Sequence, residues 1–574
     1  MTGHNPAATE EFRTARDLLL SLRTDHDTAA ARFTWPRPTH FNWAFDWFDH
    51  IARGNDRIAV KIISPGRPSE SVTYAELSER SARVANWLRR LGVRPGERLL
   101  LMLDNQVAVW EALLAAMKVG AVVIPTYTTV SQADLHDRLT RGDVAHIITA
   151  DHLTGAFAEA PEHLTRIAVG AATPGWTPYH EAYAESPEFR PDRLTHADDP
   201  LFVYFTSGTT SRPKMVSHTH SSYPIGHLTG MYWNGLVPGD IHVNISAPGW
   251  AKHAWSSFFG PFNAEASVLS VNLPAGGDPR VLLDILREEH ATSLCAPPTA
   301  WRTLLQHDLG ERPPTLREAS SVGEPLNPEV IDRVRGAWGL TVRDGYGQTE
   351  TTAQIGNTTA LPVRPGSMGK PLPGYPIVLV DPRTKERGDE GEICIDLAER
   401  PVGIMSGYLG DAEKTARTLA DGLYHTGDIA RRDSDGYLTY IGRTDDVFKS
   451  YDHRISPFEL ESVLLRHPAV AEAAVVPVPH PVGYQVPKAH VSLAAGHLPT
   501  TDTARSVLAF AAENLAPHQQ ISCLEFGGLP KTTSGKIRRA ELRAAQESTA
   551  AASAREYHAH DLLESSVVHG APGL

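Results

Sequence analysis

The chain predicts an α/β protein with a large N-terminal domain and a small, mobile α+β C-terminal domain. From about residue 41 to residue 430, short apolar runs such as 98–103 alternate with helical patterns such as 107–119. This alternation is typical of largely parallel sheets covered by helices. Later runs, 391–395 and 436–442, indicate antiparallel strands between turns, so the structural class changes toward the C-terminus.

The N-terminal residues predict a helix that precedes the large domain. Phe12, Leu18, Leu19 and Leu22 recur near helical spacing and predict a surface helix over residues 9–33. An aromatic stretch follows at residues 41–48 and predicts a helix packed onto the core. The expected domains are an N-terminal helical extension (1–40), a large N-terminal domain (41–444), a C-terminal lid domain (445–547) and a flexible tail (548–574).

Composition excludes several classes of protein. The 574 residues carry a formal net charge of −13, which argues against nucleic-acid binding because such proteins show a basic footprint. Three cysteines lie far apart without metal-ligand spacing, which fits a reducing compartment. No apolar run approaches the length of a membrane span, and the polar start lacks the apolar core of a signal peptide. We therefore expect a cytoplasmic protein with no membrane span.

The most informative stretch runs from Thr206 to Lys214, Thr-Ser-Gly-Thr-Thr-Ser-Arg-Pro-Lys, directly after a strand-like apolar run. Backbone N–H groups and hydroxyls in such a loop can point toward phosphate oxygens, and the lysine adds positive charge. The glycine spacing differs from that of a Walker loop. A polar turn between strands is the ordinary alternative, so the loop alone does not settle the function.

Four further segments place polar groups in turns or at the ends of strands. One such segment is a weak signal, whereas all of them in this order along one chain are a strong one. They are Gly323-Glu324-Pro325, Asp344-Gly345-Tyr346-Gly347-Gln348-Thr349-Glu350, Tyr424-His425-Thr426-Gly427-Asp428 and Thr532-Thr533-Ser534-Gly535-Lys536-Ile537-Arg538-Arg539.

Together these segments resemble the adenylate-forming superfamily, which includes acyl-CoA synthetases, peptide-synthetase adenylation domains and luciferases. The resemblance covers nearly the whole chain, and residues 321–329 and 456–461 are most similar to the medium-chain acyl-CoA synthetase and acetyl-CoA synthetase branch. It implies that ATP reacts with an acid to give an acyl adenylate and pyrophosphate. Residues that the resemblance implies in ATP binding are Thr206, Ser207, Gly208, Thr209, Thr210, Lys214, Gly323, Glu324, Pro325, Asp344, Gly345, Tyr346, Gly347, Gln348, Asp428, Arg443 and Arg454.

The resemblance also implies individual roles. Tyr346 would stack on adenine, and Asp428 would accept both ribose hydroxyls. Thr349 would reach the α-phosphate, Glu350 would hold Mg²⁺ through oxygen, and Lys536 would approach the reacting carboxylate and the α-phosphate. Each residue type has an ordinary alternative, such as a turn-capping aspartate or a solvated lysine, but the ordered set favours the catalytic interpretation.

An acid pocket and a hinge follow from the same resemblance. Trp250, Lys252 and His253 match the region where the family lines its acyl pocket, and Lys252 and His253 would contact a small or polar acid. The alternative interpretation is that all three are ordinary wall or surface residues. The sequence favours neither interpretation over the other. Asp445 matches the family's hinge, about which the small domain rotates between the two half-reactions; the alternative is an aspartate that caps a turn.

The segments with which the family binds CoA depart from the family pattern. Asp452 stands where a small residue is common, the region of Gly483 lacks an arginine, and residues 518–523 carry no fixed cation. Phosphates are normally bound by arginine or lysine, so these changes weaken the expectation of CoA binding. Drift within a CoA site and use of another acceptor, an amine or a carrier-protein thiol, both remain open.

The sequence therefore predicts an ATP- and Mg²⁺-dependent, AMP-forming ligase that activates a small-molecule acid and resembles acyl-CoA synthetases. The alternative is a CoA-independent ligase of biosynthetic metabolism that passes an activated acid, nitrite included, to an amine or a carrier thiol. A non-catalytic nucleotide-binding protein is a third alternative, which the retention of Lys536, Glu350 and Asp428 disfavours.

Overall fold

The computed structural model describes most of the chain. Among the described residues, no helix combines the length and the apolar character that a membrane crossing requires. The described residues are 3–206, 212–273, 277–451, 453–480, 484–531, 537–548 and 556–563.

The strands are short and distributed over the whole chain. They are β1 (Ile58–Ile63), β2 (Glu70–Thr73), β3 (Arg98–Met102), β4 (Val122–Pro125), β5 (Val144–Ala150), β6 (Thr165–Val169), β7 (Thr177–Pro178), β8 (Pro200–Thr206), β9 (Lys214–Thr219), β10 (Ile241–Asn244), β11 (Ser267–Val271), β12 (Ser293–Cys295), β13 (Glu318–Val322), β14 (Val342–Gln348), β15 (Thr352–Gly356), β16 (Lys370–Pro371), β17 (Ile377–Val380), β18 (Arg387–Gly388), β19 (Glu390–Asp396), β20 (Gly407–Tyr408), β21 (Leu423–Arg432), β22 (Leu438–Arg443), β23 (Phe448–Ser450), β24 (His453–Ile455), β25 (Val470–His480), β26 (Tyr484–Leu493), β27 (Cys523–Phe526) and β28 (Glu556–His558).

The α-helices are α1 (Pro6–Ser21), α2 (His26–Arg32), α3 (Asp49–Ala52), α4 (Tyr74–Arg90), α5 (Val107–Val119), α6 (Gln132–Arg141), α7 (Ser222–Gly226), α8 (Leu228–Asn234), α9 (Ala251–Ala254), α10 (Gly260–Asn263), α11 (Arg280–Glu288), α12 (Pro298–Leu304), α13 (Pro328–Trp338), α14 (Ala412–Thr418), α15 (Pro457–Leu464), α16 (Thr501–Asn514), α17 (Arg539–Ser548) and α18 (Ala559–Leu562). Two π-helical segments, Ala44–Phe48 and Trp255–Phe259, and four 3₁₀ segments, Asp151–Phe157, Tyr179–Ala184, Ala420–Gly422 and Pro517–Gln519, complete the helical structure.

The chain divides into two compact units. The first contains residues 1–377 and 395–424, and the second contains residues 378–394 and 425–574. The sequence predicted a boundary at residue 445, which lies within the second unit. Turn residues near 445 give a local signal for a boundary, whereas this grouping depends on sheet pairing between distant segments.

Two large sheets form the first unit. One has the strand order β16-β15-β14-β13-β12-β10-β11-β1-β2, and the other has the order β20-β9-β8-β4-β3-β5-β6-β7. The central strands of both sheets pair in parallel, and antiparallel pairs lie toward the edges. This arrangement confirms the predicted α/β class. The carboxyl ends of parallel strands share one edge of a sheet, where ligands bind in such folds.

The N-terminal residues differ from the predicted single surface helix. Asp25 caps α2 and separates it from α1, because its side chain accepts a hydrogen bond from the backbone N–H of Thr28. Phe12 and Leu19 of α1 are fully buried. The Phe12 ring packs against Trp47 at a centroid distance of 5.0 Å. The apolar face of α1 therefore belongs to the core of the first unit, as does the aromatic stretch that follows it.

The second unit contains a five-stranded sheet, β18-β17-β19-β21-β22, and a four-stranded sheet, β25-β26-β27-β28. The β17–β18, β21–β22 and β25–β26 pairs are antiparallel, and the β21–β22 pair confirms the antiparallel strand predicted at residues 436–442. Strand β28 lies in the segment expected to be a flexible tail, yet it pairs with β27. The sequence missed this edge strand because its pairing partner lies about thirty residues away and its own apolar signal is short.

Candidate active site

The predicted phosphate-binding loop connects two paired strands of the first unit. Thr206 ends β8 and Lys214 begins β9, and the two residues are directly opposite each other in the antiparallel pair. The two ends of the loop are therefore held together by sheet hydrogen bonds. Residues 207–211, and with them the predicted ATP-binding residues Ser207, Gly208, Thr209 and Thr210, lie outside the described residues.

Lys214 and Glu350 approach the same tyrosine ring. The Lys214 ammonium lies 5.4 Å from the centroid of the Tyr408 ring, and the Tyr408 hydroxyl donates to Glu350 Oε1 over 3.0 Å. The Glu350 carbonyl also accepts from the backbone N–H of Met405 over 2.8 Å. Glu350 is buried, with 8% of its surface exposed. The structure thus brings together a cation and a carboxylate that are separated by more than one hundred residues in the sequence.

Tyr408 contacts two predicted site residues, and sequence reasoning missed it. It lies on the two-residue strand β20, and it is opposite Val216 of β9. A strand of two residues gives no periodic signal, so only the pairing of β20 with β9 reveals the role of this tyrosine.

Thr349 is held through its backbone by a buried histidine. His218 Nε2 lies 2.7 Å from the Thr349 carbonyl, and its Nδ1 lies 3.0 Å from the Ser222 hydroxyl. A carbonyl only accepts, so Nε2 carries the proton and Nδ1 accepts from Ser222. Burial lowers the pKa of His218 to about 3, which keeps the ring neutral. His218 therefore fixes the backbone next to the predicted catalytic residues, and no sequence motif indicated it.

The segment around Tyr346 ends the central strand β14. Gly347 allows a close approach here, because a Cβ at this position would clash with the Thr352 carbonyl and would lie 2.6 Å from the Trp255 ring. Tyr346 is half-buried and lies opposite Ile355 in the β14–β15 pair. The neighbouring residues Gly345 and Gln348 belong to the same strand, and the Tyr424 hydroxyl donates to Gln348 Oε1 over 2.7 Å.

Asp344 connects this strand to the loop of Gly323, Glu324 and Pro325. One oxygen accepts from the backbone N–H of Gly345 over 2.9 Å, and the other lies 3.4 Å from the backbone nitrogen of Leu326. Burial raises the pKa of Asp344 to about 8. The carboxyl group therefore braces the loop from the protein interior. Within the loop, Gly323 is exposed and Pro325 half-buried, and the Glu324 carboxylate lies 3.5 Å from Arg302.

Two residues of the predicted acid pocket, Lys252 and His253, belong to the short helix α9, and Trp250 directly precedes it. Burial lowers the pKa of Lys252, whose ammonium donates to the Ile245 carbonyl over 3.3 Å and interacts electrostatically with Glu324. His253 is buried against the Trp110 ring, and burial lowers its pKa to about 3. The buried Trp250 Nε1, His253 Nε2 and Ser246 Oγ have no hydrogen-bond partner among the described residues. This part of the first unit therefore offers buried polar groups that remain available to a ligand.

Asp428 and Arg443 lie opposite each other on β21 and β22 of the second unit. Asp428 Oδ1 accepts from Arg443 Nη1 over 3.4 Å and from the Tyr440 hydroxyl over 3.3 Å. Arg443 Nε also lies 3.4 Å from Asp445, the predicted hinge residue. The structure thus groups these three predicted residues within one unit, and Tyr440 joins them without a sequence signal.

Arg454 is the last predicted residue of the second unit that the structure describes. Arg454 is exposed on the β23–β24 hairpin, opposite Lys449. Next to it, the His453 ring stacks on His518 at a centroid distance of 4.2 Å. The predicted catalytic residue Lys536 lies outside the described residues, as do Asp452 and Gly483.

Comparison with known proteins identifies the class. Residues 47–409 match the family of AMP-binding enzymes, and residues 459–536 match the C-terminal domain of AMP-binding enzymes. The chain belongs to this family, and it is an ATP-using, AMP-forming ligase of the adenylate-forming type.

Individual relatives match over most of the chain. A 4-hydroxybutyrate–CoA ligase of Metallosphaera sedula is 40% identical over 518 residues, which cover 88% of this chain and 91% of the relative. A mitochondrial acyl-coenzyme A synthetase of Mus musculus is 34% identical over 555 residues, which cover 93% of this chain and 95% of the relative. The structure of an anthranilate CoA ligase in complex with anthranoyl-AMP is similar with a TM-score of 0.80 and 25% identity, covering 89% of this chain and 98% of that one. A benzoate CoA ligase from Burkholderia xenovorans LB400 has a TM-score of 0.74 and 29% identity, with 88% and 100% coverage.

Proposed function

We propose that the protein is an acid–CoA ligase. In the first half-reaction an acid attacks the α-phosphate of ATP, which gives an acyl adenylate and pyrophosphate. In the second, the thiol of CoA displaces AMP and forms a thioester. The observation that carries this proposal is the 40% identity to a 4-hydroxybutyrate–CoA ligase over 88% of the chain.

The described residues support nucleotide binding by the first unit. Lys214 supplies a positive charge at one end of the phosphate loop, and Tyr408 links it to the Glu350 carboxylate. Glu350 fits a magnesium ion, because its Oε2 has no hydrogen bond to a described residue and Mg²⁺ prefers carboxylate oxygen. When bound, the ion would supply positive charge against the phosphate oxygens. Thr349, held by His218, would donate its hydroxyl to the α-phosphate, and Tyr346 would stack on adenine.

Residues of the second unit complete the proposed chemistry. Asp428 would accept the ribose hydroxyls, while Arg443 and Arg454 would lie near the ribose and phosphates. The Lys536 ammonium would stabilise the negative charge that develops at the α-phosphate and the reacting carboxylate. The proposed domains are residues 41–444 and 445–547. Rotation about Asp445 would change the orientation of the small domain between the first and the second half-reaction.

A small polar acid is the substrate class that the pocket supports. The buried Lys252 ammonium and the unpartnered Trp250 Nε1 and Ser246 Oγ lie in the segment where the acyl group would bind. A purely apolar chain would leave such groups unpaired, at a cost in binding free energy. A short hydroxy acid would satisfy them, and 4-hydroxybutyrate is the first candidate because of the relative's name.

One observation favours a second candidate, transfer to an amine or carrier thiol instead of CoA. Gln519 donates to Glu459 and Gln520 donates to backbone carbonyls, so the segment after Pro517 presents no fixed cation to a phosphate.

A neighbouring hairpin favours CoA over this second candidate. The stack of His453 on His518 places the cationic β23–β24 hairpin beside the segment after Pro517. Lys449 and Arg454 of that hairpin therefore supply positive charge that supports CoA as the acceptor.

The deciding experiment measures acceptor dependence with the full chain. The protein is incubated with ATP, magnesium and each of 4-hydroxybutyrate, benzoate and anthranilate, with CoA, an amine or no acceptor, and products are identified by mass spectrometry. We expect a CoA thioester and AMP release that accelerates with CoA. Release that ignores CoA and yields an amide would contradict the proposal and establish the alternative.

A further inference from the structure

The carboxylate of Glu392 bridges two groups of the neighbouring strand in the second unit. Glu392 lies on β19, and its Oε1 accepts from the backbone N–H of Gly427 over 2.8 Å. Its Oε2 lies 2.9 Å from His425 Nδ1, which donates because a carboxylate accepts. The Glu392 side chain is 11% exposed and that of His425 is 17% exposed, so both bonds lie largely out of water.

These bonds act on the turn that leads into Asp428. Gly427 has a φ of 73°, a conformation that glycine adopts without strain, and its N–H is fixed by Glu392. The Thr426 hydroxyl donates to the Ile393 carbonyl over 2.7 Å and accepts from the backbone N–H of Asp428 over 3.1 Å. The backbone from His425 to Asp428 is therefore tied to β19 at three points.

The charge of Glu392 is stabilised by the same groups. Burial acts to raise its pKa, but the hydrogen bonds from His425 and Gly427 together hold the pKa of Glu392 below its usual value. The carboxylate therefore remains ionised at neutral pH, when a hydrogen bond to it is strongest.

A metal ion is a weaker explanation of this cluster. Glu392, Cys394 and His425 offer ligand atoms within 4.8 Å of one another. Burial, however, raises the pKa of the Cys394 thiol, so it stays protonated and is a poor metal ligand. Both Glu392 oxygens are already engaged by N–H donors. The cluster is thus satisfied without an ion.

We propose that Glu392 is a positioning residue that, through Gly427 and His425, sets Asp428 in the geometry that accepts the ribose hydroxyls of the nucleotide. This inference rests on the ribose role of Asp428 in the proposed function. It adds Glu392 and His425, which act on Asp428 through the preceding turn and not by binding the nucleotide. The two residues act on orientation, so their loss affects nucleotides that carry ribose hydroxyls more than those that lack them.

The test measures nucleotide affinity and needs neither the acid nor the acceptor. ATP and 2′,3′-dideoxy-ATP are each titrated, with magnesium, into the full-length protein by isothermal calorimetry. Glu392→Ala is expected to weaken ATP binding about tenfold, because a charge-assisted hydrogen bond that orients Asp428 is lost. The same variant is expected to change dideoxy-ATP binding by less than about twofold.

Matched variants separate positioning from folding. Glu392→Gln keeps an acceptor for the Gly427 N–H and is expected to recover part of the ATP affinity. Glu390→Ala removes an exposed carboxylate from the same strand, and both affinities are expected to stay unchanged. If Glu392→Ala does not fold, Glu392→Gln and His425→Asn provide the same nucleotide comparison.

The outcomes distinguish the inference from its premise. Equal losses for ATP and dideoxy-ATP would show that Glu392 has only a structural role and would overturn the inference. Asp428→Ala reports on the premise, because it should remove the preference for ATP over dideoxy-ATP. If Asp428→Ala still prefers ATP over dideoxy-ATP, the proposed ribose role of Asp428 is wrong. If Asp428→Ala loses this preference but Glu392→Ala keeps it, only the positioning role of Glu392 is wrong.

Discussion

The two units hold their candidate nucleotide residues by different forces. In the first unit, Gly347 lies against the Trp255 ring and the Thr352 carbonyl, and the neutral buried His218 holds the Thr349 carbonyl. In the second unit, Asp428 is held by Arg443 and by the bonds that Glu392 makes to the preceding turn. The contacts of Gly347 and His218 are thus uncharged, whereas the contacts that hold Asp428 and its turn involve ionised side chains. The two groups should therefore fail under different perturbations.

Acid is the strongest perturbation of the first unit. Burial lowers the pKa values of His218, His242 and His253 to about 3, whereas an unfolded histidine titrates near 6.5. Between these values the unfolded chain binds more protons than the folded one, so stability falls as pH falls below 6.5. Each histidine should contribute a loss of about 2 kcal/mol at pH 5. Denaturant unfolding followed from pH 8 to pH 5 measures this slope.

His253→Gln should reduce the dependence of the unfolding free energy on pH by the equivalent of about one bound proton, since the variant has no group to titrate at this position. His136→Gln, on the exposed surface of α6, is the matched control and should leave the slope as it is. A pH-independent stability between 6.5 and 5 would contradict the neutral state of the buried rings.

Overpacking next to Tyr346 should be nearly as damaging. Gly347→Ala places a methyl group against the Thr352 carbonyl and the Trp255 ring, and the carbonyl cannot move without distorting the β14–β15 pair. We expect a stability loss of about 3 kcal/mol and a loss of ATP binding. Thermal unfolding and ATP calorimetry check both. Gly336→Ala within α13 has open space and should raise stability by about 0.5 kcal/mol; similar melting of both variants would refute the close approach.

The second unit should respond to the loss of a buried ion pair. Arg539 donates to both oxygens of Glu461 over 3.0 and 2.6 Å, and the Glu461 side chain is 6% exposed. Glu461→Gln leaves the guanidinium without its counter-charge and should cost about 3 kcal/mol. Hydrogen exchange should show faster opening of β25 and β26, with the amides of the first unit unchanged.

The exposed pair of Arg538 and Glu541 supplies the control for this prediction. Glu541→Gln should change stability by less than about 0.5 kcal/mol, because water screens the pair. An effect of Glu461→Gln as small as this would show that charge does not hold the second unit.

Two tyrosine hydroxyls give the smallest expected effect and the most direct comparison. Tyr408→Phe keeps the ring near Lys214 but removes the donor to Glu350, and Tyr440→Phe removes a donor to Asp428. Each should weaken ATP binding by about 1 kcal/mol, or about fivefold. Tyr408→Phe should also raise the magnesium concentration that is needed for ATP binding, whereas Tyr440→Phe should not. Calorimetry over a magnesium series tests this; identical magnesium dependence would refute the Glu350 assignment.

Sequence motifs indicated those parts of the candidate site that are contiguous in the chain. The α/β class, the Thr206–Lys214 loop and the segment from Asp344 to Glu350 carry local signals of composition and spacing. Tyr408, His218 and Glu392 carry none, because each acts through a strand pairing or a hydrogen bond to a residue far along the chain. The same reason explains the missed strand β28.

The helical start of the chain shows a second limit of sequence patterns. The spacing of Phe12 and Leu19 indicated a helix correctly, but an amphipathic helix on a surface and one that packs into a core share this pattern. The contact of Phe12 with Trp47, which follows from tertiary packing, determines which of the two forms.

Ile537 is the described residue that directly follows Lys536, the lysine that we propose to be catalytic. Ile537 pairs with Lys531 in an isolated bridge and packs against the small apolar cluster of Ala474, Val476 and Leu542. Ile537→Ala would remove this packing beside the proposed catalytic lysine. The isoleucine side chain takes no part in the chemistry, so a loss of turnover in this variant would come from weaker anchoring of the segment and not from loss of a reactive group.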